Sequence, residues 1–135
     1  MAPSLSPLED QNLRLLRAKD AIDRDYARPL DVPALARIAL MSPSHFTRSF
    51  RGTFGETPHQ YLRRRRIERA MALLRAHSAT VTDVAAKVGF ESLGTFSRTF
   101  RAITGTSPSE YRASARPLAV PVCFVKAWTR PSRFG

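Results

Sequence analysis

The sequence predicts an all-α fold: seven helices forming two helix-turn-helix subdomains joined by a long linker helix, with a short extended C-terminal tail. Three observations predict it. Apolar residues recur at helical spacing between Gly and Pro stops, a Ser, Thr or Asp stands ahead of most of these runs as a capping residue, and one stretch is written twice. Residues 45–61 read HFTRSFRGTFGETPHQY and residues 95–111 read TFSRTFRAITGTSPSEY. Seven positions are identical: Phe46/Phe96, Arg48/Arg98, Phe50/Phe100, Arg51/Arg101, Gly55/Gly105, Pro58/Pro108 and Tyr61/Tyr111. Three further pairs only exchange Ser for Thr. Chance gives about one identity at the roughly 5–7% usage of a common residue.

Each element follows from local signals. Residues 1–7 hold Pro3 and Pro7 among small residues and read as loose. Over residues 8–26, Leu15, Ala18, Ile22 and Tyr26 keep the rhythm of a helix with one apolar face, and Pro29 ends it. Asp31 caps a short helix over 32–39, with Pro33 tolerated in its first turn. Ser42-Pro43 starts a helix that runs to residue 54 and stops at Gly55. Thr57-Pro58 opens the long helix, which reaches residue 76 with Leu62, Ile67, Ala70, Met71 and Leu74 as its apolar stripe. Thr80 or Thr82 caps a short helix over 83–88, ended by Gly89. Ser92 caps the next, which stops at Gly105, and Ser107-Pro108 starts the last, to residue 114. Residues 117–135, PLAVPVCFVKAWTRPSRFG, lean towards strand and are broken by proline. They read as an extended segment lying on the helical body through Val122, Phe124 and Trp128, or as a partner-binding tail.

Each copy of the repeat has a short helix in front of it. LARIALMSPSHFTRSF and VAAKVGFESLGTFSRTF both read helix, tight turn, helix. In both, a small alanine (Ala36, Ala85) stands four residues before the turn position (Leu40, Gly89), as two closely crossing helices require. Gly89 suits the turn, whereas Leu40 departs from the pattern. Placed at steps of about 100°, Phe46, Phe50 and Phe54 share one side of the second helix. Ser44, His45, Arg48, Arg51 and Gly52 share the other, with Thr47 at the flank. In the second copy Phe96, Phe100 and Ile103 form the inner side; Gly94, Thr95, Arg98 and Arg101 face out, with Ser97 flanking. Short side chains allow close approach to a DNA major groove, and arginine can grip guanine O6 and N7 with two bonds. An ordinary solvated face would be rich in Glu, Lys and Gln, and these two are not.

The totals agree. Twenty-two Lys plus Arg against eleven Asp plus Glu leave +11, and nineteen of the cations are arginine. Such a balance points to nucleic acid, an anionic membrane surface or an acidic partner. No apolar run approaches a membrane span, and MAPSLSPLEDQN lacks the pattern of a secretory signal. Cys123 stands alone, which excludes an internal disulfide and fits a reducing, cytoplasmic compartment. His45, His59 and His77 have no ligand-like spacing, so no metal site and no cofactor is expected. No phosphate loop, nucleophile elbow or carboxylate cluster suggests an enzyme.

The paired patterns FTRSFRGTFGETPHQYLRRRRIERA and VGFESLGTFSRTFRAITGTSPSEYR resemble the DNA-binding domain of the AraC/XylS transcription factors, over about residues 15–112. The resemblance implies two recognition helices, near 43–54 and 92–104, in successive major grooves on one face of double-stranded DNA. A linker helix of about 19 residues spans about 28 Å, near the roughly 34 Å between same-face grooves, so one chain would bind as a monomer. The resemblance carries base contact to Ser44, His45, Thr47 and Arg48, and to Leu93, Gly94, Thr95 and Arg98. Leu93 and Gly94 bring no hydrogen-bonding side chain, so the second helix should read fewer bases. It also implies a bacterial, nucleoid-associated regulator of the small, sensor-less type, activating through contact with RNA polymerase.

Phosphate contact is expected at Arg51 and Arg101, at the outer ends of these helices, and at Ser42 and Ser92, where helix N-termini favour an anion. The run Arg63 to Arg66 covers every face of a helix, so not all four can point at DNA. Arg66 matches an arginine of the family and reads as structural, bonding between subdomains. The others, Arg63 among them, meet phosphates or stay solvated. The expected division is 8–56, first helix-turn-helix; 57–76, linker; 77–115, second helix-turn-helix; and 116–135, tail. Two other readings compete: a nonspecific or architectural protein acting through charge alone, and an interaction module that uses the 117–135 tail.

Overall fold

The computed structural model describes residues 4–115, and every regular element among them is helical. These are α1 (Pro7–Asp25), α2 (Val32–Ile38), α3 (Pro43–Phe54), α4 (Pro58–Ala76), α5 (Val81–Lys87), α6 (Leu93–Thr104) and α7 (Pro108–Ser114). Each starts after a residue in extended backbone whose side-chain oxygen accepts an N–H in the first turn: Ser6, Asp31, Ser42, Thr57, Thr80, Ser92 and Ser107. Ser6–Glu9, Thr57–Gln60 and Ser107–Glu110 close the bond in both directions, which satisfies two orphan backbone donors at once. The box at Ser6 draws α1 back to Pro7. Thr80, not Thr82, caps α5, so that helix starts two residues earlier than the sequence suggested, and Val81 packs on the core. The expected tail over 116–135 lies outside the described residues.

The two tight turns share one chemistry. After α2, Leu40 N–H donates to the Arg37 carbonyl and Met41 N–H to that of Ala36; after α5, Gly89 N–H donates to Ala86 and Phe90 N–H to Ala85. These paired bonds form a Schellman closure, which requires a left-handed residue at its centre. Gly89 takes φ 101° without a side-chain penalty, and Leu40 takes φ 58° with one. The departure at Leu40 therefore changes the residue but not the turn. Arg14 helps to hold it, donating through Nη1 to the carbonyls of Ala39 (2.8 Å) and Leu40 (3.2 Å).

Two apolar clusters result. The first joins Leu15, Ala18 and Ile22 of α1 to Leu35 and Ala36 of α2, Phe46 and Phe50 of α3, and Tyr61 and Leu62 of α4. The second joins Ile67, Ala70, Met71 and Leu74 of α4 to Val84 and Ala85 of α5 and Phe96 and Phe100 of α6. Both phenylalanine pairs are fully buried with ring centroids 5.6 and 5.7 Å apart. Each buried ring contributes about 1.5–3 kcal/mol by leaving water. Tyr26, at the end of α1, packs against both clusters.

The repeat extends further than the quoted stretch. Leu15, Ala18 and Ile22 are matched 52 positions on by Ile67, Ala70 and Leu74, which take the same core places. Asp23 and Arg75 match in the same register. Tyr61 donates its hydroxyl to Asp23 at 2.5 Å, while Arg75 donates to the hydroxyl of Tyr111. The same contact recurs with its polarity reversed. Burial, and then the bond to the Asp23 carboxylate, push the Tyr61 hydroxyl pKa well above its ordinary value.

Candidate nucleic-acid interface

With Phe46 and Phe50 fixed in the core, the opposite face of α3 is set. Ser44, His45, Arg48, Arg51 and Gly52 are exposed and Thr47 is half-buried beside them. On α6 the burial of Phe96 and Phe100 leaves Leu93, Gly94, Thr95, Arg98 and Arg101 exposed and Ser97 half-buried. The structure thus brings the expected residues of each helix together on one outer face.

The two faces differ in internal bonding. On α6 the hydroxyl of Ser92 donates to Thr95 Oγ1 at 3.0 Å, and Arg98 Nη2 reaches the same oxygen at 3.4 Å. On α3, Ser42 Oγ accepts the His45 N–H at 3.2 Å, and Arg48 makes no hydrogen bond or ion pair among the described residues. A Cβ on Gly94 would lie 3.5 Å from the Arg98 guanidinium, an ordinary contact, and one on Gly52 would meet nothing within 4 Å. Neither glycine is demanded by packing inside the protein.

Arg51 and Arg101, equal in sequence, are unequal in structure. Arg101 pairs with Glu110 at 3.4 Å, both side chains being well exposed. The Ser107 backbone N–H, and then its hydroxyl, hold the Glu110 carboxyl below the usual range. The residue matching Glu110 in the first copy is Gln60, which carries no charge, and Arg51 has no partner among the described residues.

The arginine run divides sharply. Arg64 lies between Glu56 (2.8 Å) and Glu68 (2.7 Å), with all three side chains at 15% exposure or less. Arg65 bridges Asp23 (3.0 Å) and Glu68 (2.5 Å). Both guanidinium groups are engaged by carboxylates instead of standing free in solvent or for a phosphate, which corrects the expectation for these two. Their carboxylate partners outcompete solvent because they sit within the same half-buried corner of α1, α4 and the turn before α4. The i, i+4 spacing of Arg64 and Glu68 was the available signal; the role of Glu56 needed the fold. Arg66 donates from Nε to the Tyr26 carbonyl (2.7 Å) and from Nη2 to that of Arg28 (3.0 Å), a structural role as the sequence suggested.

Arg63 makes no hydrogen bond or ion pair among the described residues. It borders two depressions. One, about 580 Å³, lies between the start of α4 and the Arg98–Thr99 side of α6. The other, about 670 Å³, runs from the 27–31 loop past His59 to Gly89, Ser92 and Thr95. His59, exposed at its edge, was not singled out in the sequence. Partial burial and the charges of Arg63 and Arg66 lower its pKa.

A family model described as "Helix-turn-helix domain" matches residues 35–114. An AraC-like transcription regulator of Streptomyces lividans is 38% identical over 95 residues, covering 70% of this chain and 31% of its own length. The chain belongs to the AraC family of helix-turn-helix transcriptional regulators. The HTH-type regulator Rv1931c of Mycobacterium tuberculosis is 44% identical over 78 residues, 58% of this chain and 30% of that protein. Among solved structures, the DNA-binding domain of AdpA, determined with a target DNA, matches with a TM-score of 0.71 at 34% identity. That match covers 75% of this chain and 91% of the AdpA domain. An AraC family regulator from Rhodopseudomonas palustris matches with a TM-score of 0.70 at 29% identity, over 78% of this chain and 99% of that one. These relatives are transcription regulators, not enzymes. This AraC-family chain spans from 12% to 41% of the length of the curated relatives it matches. No helix among the described residues is long and apolar enough to cross a membrane.

Proposed function

We propose that this chain is a sequence-specific DNA-binding regulator of transcription that reads two successive major grooves as a monomer. One observation carries the reading. α3 and α6, matched residue for residue on their buried aromatic sides, present arginine, hydroxyl and small residues outward from either end of the 19-residue α4. On this reading Ser44, His45, Thr47 and Arg48 contact bases in one groove, and Leu93, Gly94, Thr95 and Arg98 in the next. Ser42, Arg51, Arg63, Ser92 and Arg101 contact phosphates. The division into 8–56, 57–76 and 77–115 assigns one recognition helix to each outer segment. Support comes from the AdpA domain, whose structure was determined on a target DNA.

The free state of Arg48 and the bonded state of Arg98 rank the two helices. Arg48 can turn its whole guanidinium to a guanine, worth about 1–3 kcal/mol of discrimination. Leu93 offers a thymine methyl only an apolar contact. Activation through contact with RNA polymerase, in a bacterial cytoplasm and on the nucleoid, completes the reading. Its support is family membership, which includes an operon transcriptional activator of Pseudomonas putida at 34% identity.

In vitro selection from a random duplex pool tests the proposal. The expected motif is non-palindromic, in two blocks about 10 base pairs apart, with the sharper block assigned to α3. A palindrome would replace the monomer with a dimer. Tight, salt-sensitive binding with no enriched sequence would sink sequence specificity and leave binding by charge alone.

A further inference from the structure

The outer faces of α3 and α6 can read one site only if the two helices are held at a fixed relative angle. α4 joins them through one buried cluster with each helix, and a direct contact between the two halves restrains that angle further. A second connection is present where three segments meet. Arg66, in the middle of α4, bonds the carbonyls of Tyr26 and Arg28 in the loop between α1 and α2. Its guanidinium lies 5.8 Å from the ring centroid of Phe90, in the turn between α5 and α6. A Cβ added to Gly89 in that turn would stand 3.0 Å from Arg66 Nε and 3.1 Å from the Ala27 carbonyl oxygen. The loop of the first cluster thus touches the turn of the second, with Arg66 between them. Arg69 adds a bond to the Tyr26 hydroxyl at 3.2 Å, on the residue that packs against both clusters.

We propose that Arg66, seated against Gly89 and Phe90 and bonded to the 26–28 carbonyls, is a positioning residue that sets the spacing and phase of the two DNA half-sites. The proposal rests on the DNA-binding reading above. Its lever is large. The turn at residues 89–90 aims α6, whose 12 residues extend about 18 Å; a 10° tilt there moves the far end by about 3 Å, close to one base-pair rise of about 3.4 Å. Removing the contact takes away one restraint on that angle while both buried clusters remain, so it broadens the angle about its present value.

Two measurements test it on the whole chain. In the first, affinities are taken for the selected site and for versions with one or two base pairs added to or removed from the spacer. One base pair rotates the second half-site by about 35°. The unaltered protein should lose about tenfold or more for one base pair; Arg66→Ala should flatten the series to within about threefold, and Arg66→Lys should restore part of the preference. Equal weakening at every spacing, with the preference intact, would overturn the positioning role. In the second, without DNA, spin labels are placed at Gly52→Cys on α3 and Ala102→Cys on α6 in a Cys123→Ser background. A narrow interspin distance distribution that Arg66→Ala broadens supports the proposal. Distributions of equal width overturn it, even where the protein proves to select no DNA sequence, so the two readings fail separately.

Discussion

Gly89→Ala isolates how much the junction contributes to stability. The substitution adds a left-handed residue with a Cβ, which costs about 1–2 kcal/mol. It also drives that Cβ into Arg66 Nε and the Ala27 carbonyl, at 3.0 and 3.1 Å. Ala27 is backbone and cannot swing away, so Arg66 must give by a few tenths of an ångström, which strains its 2.7 Å bond to the Tyr26 carbonyl. A hydrogen bond with one charged partner is worth about 1.5–3 kcal/mol. Restricting the unfolded chain returns about 0.4–1 kcal/mol. The net loss lies above that of the strain alone and reaches at most about 4 kcal/mol. Gly105→Ala is the internal control, with φ 85° and nothing within 4 Å of its added Cβ; it carries the strain without the contact and should lose only about 0.5–1.5 kcal/mol. Urea unfolding followed by circular dichroism measures both, with the slope checked for constancy. In an Arg66→Ala background the cost of Gly89→Ala should fall towards that of Gly105→Ala. Equal losses for the two glycines in the unaltered background would refute the close-approach argument.

Three further outcomes are expected. Arg48→Ala should relax base preference in one block by about 1–3 kcal/mol, whereas Arg51→Ala should weaken all duplexes alike and reduce the salt slope by about 1; fluorescence anisotropy on selected and scrambled duplexes across a salt series separates them. Gln60→Glu keeps the cap on Thr57 and gives Arg51 the acidic neighbour that Arg101 has, so the salt slope should become shallower by up to about 1; an unchanged slope would remove Arg51 from the phosphate contacts. His59 has a folded pKa below its unfolded value, so the unfolded chain binds the extra proton. Stability is therefore full above the unfolded pKa, about 6.5, and falls as pH drops through it. The urea midpoint of the unaltered protein should decline more between pH 8 and 5 than that of His59→Gln, and parallel curves would deny His59 this part.

The helices were legible because their signals are local. A capping side chain, a first-turn proline and a stopping glycine act within four or five residues, and Phe46/Phe50 and Phe96/Phe100 mark a buried side at helical spacing. The outer faces followed from the same geometry. The fates of Arg64 to Arg66 were only partly legible: spacing marks Glu68 for Arg64 and the family marks Arg66, but other partners are brought near by folding, Asp23 being 42 residues from Arg65 and Tyr26 40 from Arg66. Asp23 and Arg75 escaped notice because opposite charges conceal a shared position. Leu40 departs from the glycine pattern in sequence and still makes the left-handed turn. The Schellman bonds and Arg14 fix that backbone, and an exposed side chain can carry the strain.

These hidden differences bear on how one protein uses two copies of the same unit. At position 40 the first copy keeps a strained leucine, while at 89 the second has the glycine that lets Arg66 and the 26–28 loop come close. The junction therefore needs the second turn to be glycine and places no such demand on the first. At 60 and 110 the exchange of Gln for Glu leaves Arg51 free and engages Arg101. At the N-terminus of α6 the Ser92, Thr95 and Arg98 side chains are already joined, while Arg48 on α3 is not. These changes tie the second unit more closely to itself or to the junction and leave Arg48 and Arg51 of the first more available. If both units meet DNA, the first can adapt its side chains to the bases, and the second, held in place, determines where along the duplex that adaptation occurs. A selected site with a sharp block, a weaker block and a strict spacer is the pattern that this division of labour requires.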